Sequence, residues 1–270
     1  MSGQASENSG RGQPASGRTT VAQVIEATTG GTRRHLLDLV TGLDPARFAV
    51  SVIGSPRRDP VFASDVEGLR LRGIGVTLVP MKREISPLSD LLACLRIYRQ
   101  LRRSPVEIVH THSSKAGFLG RIAARLAGVR AVVHTPHVFP FQMDVGAWRK
   151  SFYLQLERSA TRLADRVICI YPGQKQEAVA AGLGPPEKFV VIENGVRSNA
   201  AAGDDPGVRR ELRKRLRIGE DQPVVGSLGR FTRQKGYEFL VHAARLLAQS
   251  VDGLKRVTDL QAGFGGGNRS

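Results

Sequence analysis

The apolar positions of this chain fall into short solid blocks, separated by stretches in which apolar residues recur every three or four places. The first block, residues 20–27 (TVAQVIEA), ends in Thr28-Thr29-Gly30-Gly31, and a stripe of Leu36, Leu37, Leu39, Val40 and Leu43 follows. Solid β-branched blocks read as strands, and the three-to-four spacing reads as a helix. The alternation then repeats: residues 48–53, 75–80, 106–111, 130–135, 166–170 and 188–192 are further strand candidates, with helical patterns at 61–72, about 86–103, 114–127, 147–163 and 173–181. Ser86 and Asp90 supply capping chemistry for the helix that runs to about Arg103.

Strands that alternate with helices of this length make βαβ units and a parallel sheet. The strand blocks are apolar at nearly every position, as strands are when helices cover both faces. The expectation is therefore α/β: a doubly wound, Rossmann-like parallel sheet of seven strands over residues 19–198. Residues 1–18 are Ser/Gly/Gln-rich without an apolar stretch, and read as a disordered tail rather than a secretory leader. Residues 199–222 read as a linker with a basic helix at 208–216 (VRRELRKRL). Residues 223–254 read as the start of a second Rossmann-like domain, its strand at about 222–228 (QPVVGSL) and its helix at 237–248, and 255–270 as an irregular tail. One βα unit cannot cover its own apolar faces, so the second domain is expected to be incomplete, as from a truncated or shifted reading frame.

Composition narrows the class. Hydrophobic residues at 41% and charged residues at 24% suit a soluble globular chain, and no run approaches the 18 apolar residues of a membrane-spanning helix. Cys94 and Cys169 stand singly, with no CxxC or zinc-ligand spacing, which fits a reducing, cytoplasmic setting. Charge changes the picture more: Lys plus Arg is 40 against 24 Asp plus Glu, a net +16. That excess points to anionic partners, namely phosphorylated substrates, acidic lipid or nucleic acid, and does not choose among them. Aromatics are 6% and scattered, without the basic–aromatic interleaving of single-strand binders, so nucleic acid is not expected. The helix at 90–103 (DLLACLRIYRQLRR) sets Leu91, Leu95, Tyr98 and Leu101 on a stripe suited to covering the sheet. Arg96, Arg99, Arg102 and Arg103 lie opposite, suited to an anionic inner-membrane surface.

Candidate chemistry gathers at strand ends. Open α/β sheets bind ligands beyond the carboxyl ends of their strands, and a helix N-terminus favours anions. Gly30-Gly31 lies at such a junction, where glycine lets backbone N–H groups approach a ligand. His110-Thr111-His112 and His134-Thr135-Pro136-His137 end two strands, so four of the six histidines lie there. No Asp or Glu accompanies them at ligand spacing, so no metal site is expected, and a buried structural role is the simpler reading of any one of them. His137, just past its strand, is the best placed to hydrogen-bond a sugar hydroxyl or steady developing charge. Arg230 and Lys235, on the glycine-bracketed loop GRFTRQKG, could clamp a diphosphate.

Taken in order, these pieces resemble the family 4 glycosyltransferases of the GT-B fold. They are Gly30-Gly31, then VHTHSSKAG at 109–117, then His134-Thr135-Pro136-His137, then Ile192-Glu193-Asn194-Gly195-Val196, then Gly229-Arg230 with Lys235-Gly236. The stretch VHTHSSKAGFLGR resembles bacterial enzymes that extend surface polysaccharides. The resemblance implies two Rossmann-like domains across a cleft, acceptor on the first and nucleotide-sugar on the second, and retaining, metal-independent transfer without a resident cofactor. It implies a UDP- or GDP-linked donor and a glycan or lipid-linked acceptor. By the same resemblance His137 contacts the transferred sugar. Gly30, Gly31, His112, Asn194 and Gly195 line the donor and acceptor site, and Arg230 and Lys235 neutralise the leaving diphosphate.

One part of the family pattern is not met. The family's donor domain carries a pair of glutamates near a Gly-Phe-Gly element. Here Gly263-Phe264-Gly265 has no acidic partners, and Glu238, Asp252 and Asp259 are the only carboxylates after Lys235. The chain as written is expected to be inactive, with a catalytically dead acceptor- or partner-binding module as the alternative reading.

Overall fold

In the computed structural model, which describes residues 17–143, 145–195, 205–227, 229 and 235–250, all seven strands expected between residues 20 and 192 form. They are β1 (Thr19–Ile25), β2 (Phe48–Gly54), β3 (Gly75–Leu78), β4 (Ile108–His112), β5 (Ala131–Thr135), β6 (Arg166–Cys169) and β7 (Phe189–Val191). Every pairing is parallel and the order is β3-β2-β1-β4-β5-β6-β7. Chain order therefore reverses between β1 and β4, and their carboxyl ends diverge into separate connections there. Such a switch point is where doubly wound sheets open a crevice for ligands.

The connecting helices are α1 (Gly30–Gly42), α2 (Phe62–Leu71), α3 (Pro87–Arg103), α4 (Ser114–Ala127), α5 (Ala147–Arg162) and α6 (Pro172–Ala180). Side chains alternate across each strand, so the sheet feeds two cores. Ile25 and Val52 pack with Leu36 and Val40 of α1 and Phe62, Val66 and Leu69 of α2. Ala22, Val24, Val109 and Val132 face Ala93, Ile97 and Leu101 of α3 and Ala116, Leu119 and Ala123 of α4. A third cluster, with Phe139, Val167, Ala178 and Phe189, closes the β6–β7 end.

The helix α3 keeps the Tyr98 and Leu101 end of its expected stripe and loses the Leu91 and Leu95 end. Ala93, Ile97 and Leu101 are buried, whereas Leu91 and Leu95 lie outward with Leu88 and Leu92, on a surface shared with the exposed Arg96, Arg99, Arg102 and Arg103. The reason is competition between two apolar stripes on one helix. Ala93, Ile97 and Leu101 pack with Ala116, Leu119 and Ala123 of α4, and Leu91 and Leu95 are left outward. The cap also differs in detail: Ser86 is the N-cap, but its hydroxyl makes no cap bond, and its backbone N–H donates to Asp90 Oδ2 at 3.0 Å.

The chain divides into two units, residues 1–196 and 197–270. In the second, α7 (Pro206–Arg215) is capped by Asp205, whose carboxylate accepts from the Gly207 N–H at 2.7 Å, and α8 is Tyr237–Ser250. The strand expected at 222–228 is not present in its described part: residues 222–227 join no ladder, and Val225 is 78% exposed. A strand is held by hydrogen bonds to a neighbour, and the described residues of this unit provide none. No described helix is long and apolar enough to cross a membrane.

Candidate functional site

Polar side chains on otherwise apolar strands converge at the switch point. Gln23 of β1 and His110 and His112 of β4 share one sheet face, the register aligning Gln23 with His110 and Ile25 with His112. All three are buried. His112 Nε2 lies 2.8 Å from Gln23 Oε1, and His110 Nε2 lies 2.8 Å from Thr135 Oγ1 of β5. His134 belongs to the opposite face. It aligns with Thr111, hydrogen-bonds Thr111 through Nδ1 at 2.9 Å, and packs on α4. An offset of one residue thus separates the histidines that face the α1 side from one that is part of the core.

His137 closes the group from the turn after β5. Its backbone has φ 60, and Ser113, after β4, has φ 62. Left-handed backbone is strained for side-chain-bearing residues, and such strain collects where a site needs a particular orientation. The His137 carbonyl accepts from the buried Gln174 of α6 at 3.2 Å, which holds the turn. His137 Nε2 then lies 3.3 Å from His112 Nδ1.

The glycine pair comes to the same place. Gly30 has φ +56, a conformation glycine adopts freely, and a Cβ on Gly30 or Gly31 would meet nothing within 4 Å, so the space before them is open. The turn is held from beneath: Thr28 Oγ1 donates to Ser55 O at 3.1 Å, and Ser55 Oγ to Met81 O at 3.2 Å. Thr29 caps α1 without a side-chain bond and no acid lies in the first turn, so the helix end keeps its positive character. One turn in, the His35 ring is 5.0 Å from His137 and 5.6 Å from His112, centroid to centroid. Asn194, past β7, lies close enough to His35 to pull against the burial that lowers its pKa.

Of the residues expected from sequence, Gly30, Gly31, His112, His137 and Asn194 therefore surround His35. Gly195 adjoins Asn194 and is exposed. Lys235 is exposed in the second unit, just before α8, and Arg230 lies outside the described residues. His35, Gln23 and Glu26 were not anticipated. A polar residue inside an apolar strand was the available signal for Gln23 and Glu26. Nothing in the spacing marked His35.

Burial decides the charge state. It lowers His110 to about 3, with the neighbouring His35 and His137 adding to the effect, and lowers His137 to about 4, with His35 adding. His112 and His35 are lowered by burial too, the latter against a pull from Asp38 and Asn194. The cluster is thus neutral near pH 7, able to donate and accept hydrogen bonds but not to supply positive charge. Glu26, at the carboxyl end of β1, is raised by burial against Arg58, Lys115 and Arg83. Three of the nearby cations are committed: Arg33 to Asp65, Arg58 to Glu26 at 3.1 Å, and Lys115 to Asp90 at 2.6 Å. A cavity of about 280 Å³ lined by Ser51, Gly75, Thr77 and Gln100 lies away from this cluster.

Residues 30–195 match the glycosyl transferase 4-like domain family. An Escherichia coli UDP-Gal:alpha-D-GlcNAc-diphosphoundecaprenol alpha-1,3-galactosyltransferase is 35% identical over 62% of this chain and 43% of its own length. A capsular polysaccharide biosynthesis glycosyltransferase of Staphylococcus aureus is 26% identical over 63% of this chain and 45% of its own. The chain thus spans about half the length of these relatives. Among solved structures, a glycosyltransferase from Rickettsia africae superposes with TM-score 0.65 at 21% identity, over 86% of this chain and 58% of the other.

Proposed function

This chain belongs to the glycosyl transferase 4-like family, and from that premise we propose that its first unit is the acceptor-side half of a retaining, nucleotide-sugar-dependent transferase of the bacterial cytoplasm. The donor is a UDP- or GDP-linked hexose, and the acceptor a surface-glycan precursor, lipid-linked or free. The relatives' names support that class: one uses UDP-Gal on a diphosphoundecaprenol-linked sugar, another is a GDP-mannose-dependent mannosyltransferase acting on a phosphatidylinositol mannoside.

The observation that carries the reading is the convergence of His35, His112 and His137 on the open turn at Gly30–Gly31, at the point where chain order reverses. Neutral imidazoles there suit hydroxyl recognition: each ring has one donor and one acceptor, as a sugar hydroxyl does. His137, turned inward by its backbone, contacts the transferred sugar, and His112 holds His137. The uncapped start of α1, with the Gly30 and Gly31 amides, faces phosphate. Asn194 and Gly195 close the far side. By the family resemblance, neutralising the leaving diphosphate is assigned to Arg230 and Lys235. No cofactor and no nucleic acid enters this scheme.

The acceptor's location favours peripheral membrane contact through the leucine and arginine surface of α3. The 270 residues alone are proposed not to turn over, since the described part of the second unit forms no sheet to hold a nucleotide. An acceptor-binding module without catalysis is the second reading, and it rests on that same observation. Isothermal titration of the purified chain with UDP- and GDP-sugars, beside a radiolabelled transfer assay, tests both. Acceptor-analogue binding at the histidine cluster without turnover is the expected result. Micromolar donor binding or measurable transfer overturns the inactivity. Absence of any acceptor or donor binding, alone or with a complementing donor domain, overturns the transferase reading.

A further inference from the structure

Three imidazoles from three elements meet at one point. His35 comes from α1, His112 from the last position of β4 and His137 from the turn after β5. One ring nitrogen of each lies within 4.8 Å of the other two. His112 Nδ1 and His137 Nε2 are 3.3 Å apart. Two nitrogens bound to one tetrahedral zinc ion at ~2.0–2.1 Å stand about 3.3–3.4 Å from each other, so this pair already has the separation of two ligands.

The surroundings are those of a ligand set. With Gln23 Oε1 against it at 2.8 Å, His112 Nε2 carries the ring proton and its Nδ1 lone pair turns toward His137. A fixed acceptor behind the ring is the usual support of a metal-bound imidazole. His35 Nε2 is buried and has no hydrogen-bond partner, and a buried polar atom left unpaired calls for an occupant. The open space before Gly30 and Gly31 leaves room for a further ligand from solvent. Imidazole donors without carboxylates suit zinc, cobalt, nickel and copper rather than magnesium or calcium.

We propose that His35, His112 and His137 form a binding site for a divalent transition ion of the zinc class, with three protein nitrogens and one open position. Binding moves the His137 ring proton from Nε2 to Nδ1 and draws the His35 ring inward by up to about 1.5 Å, the gap between the 4.8 Å bound and ideal spacing. The ion takes the same imidazoles that the proposed function gives to the sugar, so ion and sugar compete for the site; the titration uses no glycosyl donor, and its failure leaves the sugar-binding reading standing.

The test is titration of the chelator-stripped full chain with Co(II), followed by visible d–d absorption, then displacement by Zn(II). The expected result is one ion per chain with the intense bands of four-coordinate cobalt, lost on adding Zn(II) and retained on adding excess Mg(II). His35→Gln and His137→Gln, both at half-buried rings, should each weaken binding by more than about tenfold, the lower range for even outer-shell changes. His242→Gln in the second unit should leave it unchanged. Far-UV circular dichroism checks folding, and if one variant fails to fold the other decides. No cobalt band, equal affinity in a folded His35→Gln or His137→Gln chain, or loss of binding in His242→Gln overturns the site.

Discussion

The His134 ring lies so close against the backbone of Gly117 that a Cβ on residue 117 would be 2.4 Å from its Cε1. Gly117 is thus the place where α4 comes down onto the sheet. Gly120, one turn on, does the same over Thr111, where a Cβ would be 2.8 Å from Cγ2. The close approach sets the height of α4 above β4 and β5, and so the position of the strand ends that carry His112 and His137.

Gly117→Ala is therefore expected to destabilise the first unit by about 1–3 kcal/mol, the usual penalty of overpacking, despite the better helix propensity of alanine. His134→Asn trims the ring while leaving an amide to meet Thr111. The double variant should recover much of the loss relative to the sum of the single changes. Urea denaturation of the four chains measures the coupling, and strict additivity would mean the contact is not tight.

A second prediction concerns the buried pair between α4 and α5. Arg121 Nη2 meets Glu157 Oε1 at 3.0 Å, with side-chain exposures of 0% and 6%, and Arg121 Nε also donates to Gly117 O at 2.7 Å. Arg121→Met strands a buried carboxylate and should cost about 3–5 kcal/mol, whereas Arg121→Met with Glu157→Leu should restore most of it. Equilibrium unfolding distinguishes the two. A mild loss in the single variant would show that Glu157 finds water.

Part of the pH dependence follows from His134, which is held well below its ordinary 6.5 by burial first and then by Arg121 and His110. A depressed histidine stays neutral in the fold and takes its proton first in the unfolded chain. Its contribution is complete above about pH 6.5 and declines as pH falls from there toward the folded value, by up to about 1.4 kcal/mol per unit. Unfolding free energies at about pH 7.5 and about pH 5.5 should show this decline, with a shallower slope in His134→Asn. Equal slopes would mean that the ring is protonated in the folded state.

The outward face of α3 yields the fourth. Leu88, Leu91, Leu92 and Leu95 are exposed beside Arg96, Arg99, Arg102 and Arg103. Co-sedimentation with vesicles containing acidic lipid should fall when the four arginines become glutamine, each basic residue being worth roughly 1 kcal/mol near such a surface. Leu91→Ser with Leu92→Ser should lower it at constant charge. Binding that survives both changes would assign membrane contact to another surface.

The sequence by itself determined the alternation of seven strands with helices, because a parallel sheet covered on both faces demands solid apolar strands and amphipathic helices, and both are local patterns. It also marked the strand ends at Gly30–Gly31, His112 and His137, since chemistry at a strand terminus breaks an apolar run. Tertiary structure decided the rest. His35 joins His112 and His137 only because β1 and β4 are neighbours at the reversal of strand order, a pairing that no spacing encodes. The assignment of His134 to the core and His112 to the site turns on which face of the sheet each strand residue meets, set by register across β4 and β5. On α3, two apolar stripes competed for the sheet, and the one with Ala93, Ile97 and Leu101 is buried with α4. Residues 222–227 carried a strand's composition without a neighbour among the described residues, and backbone hydrogen bonds to a partner make a strand.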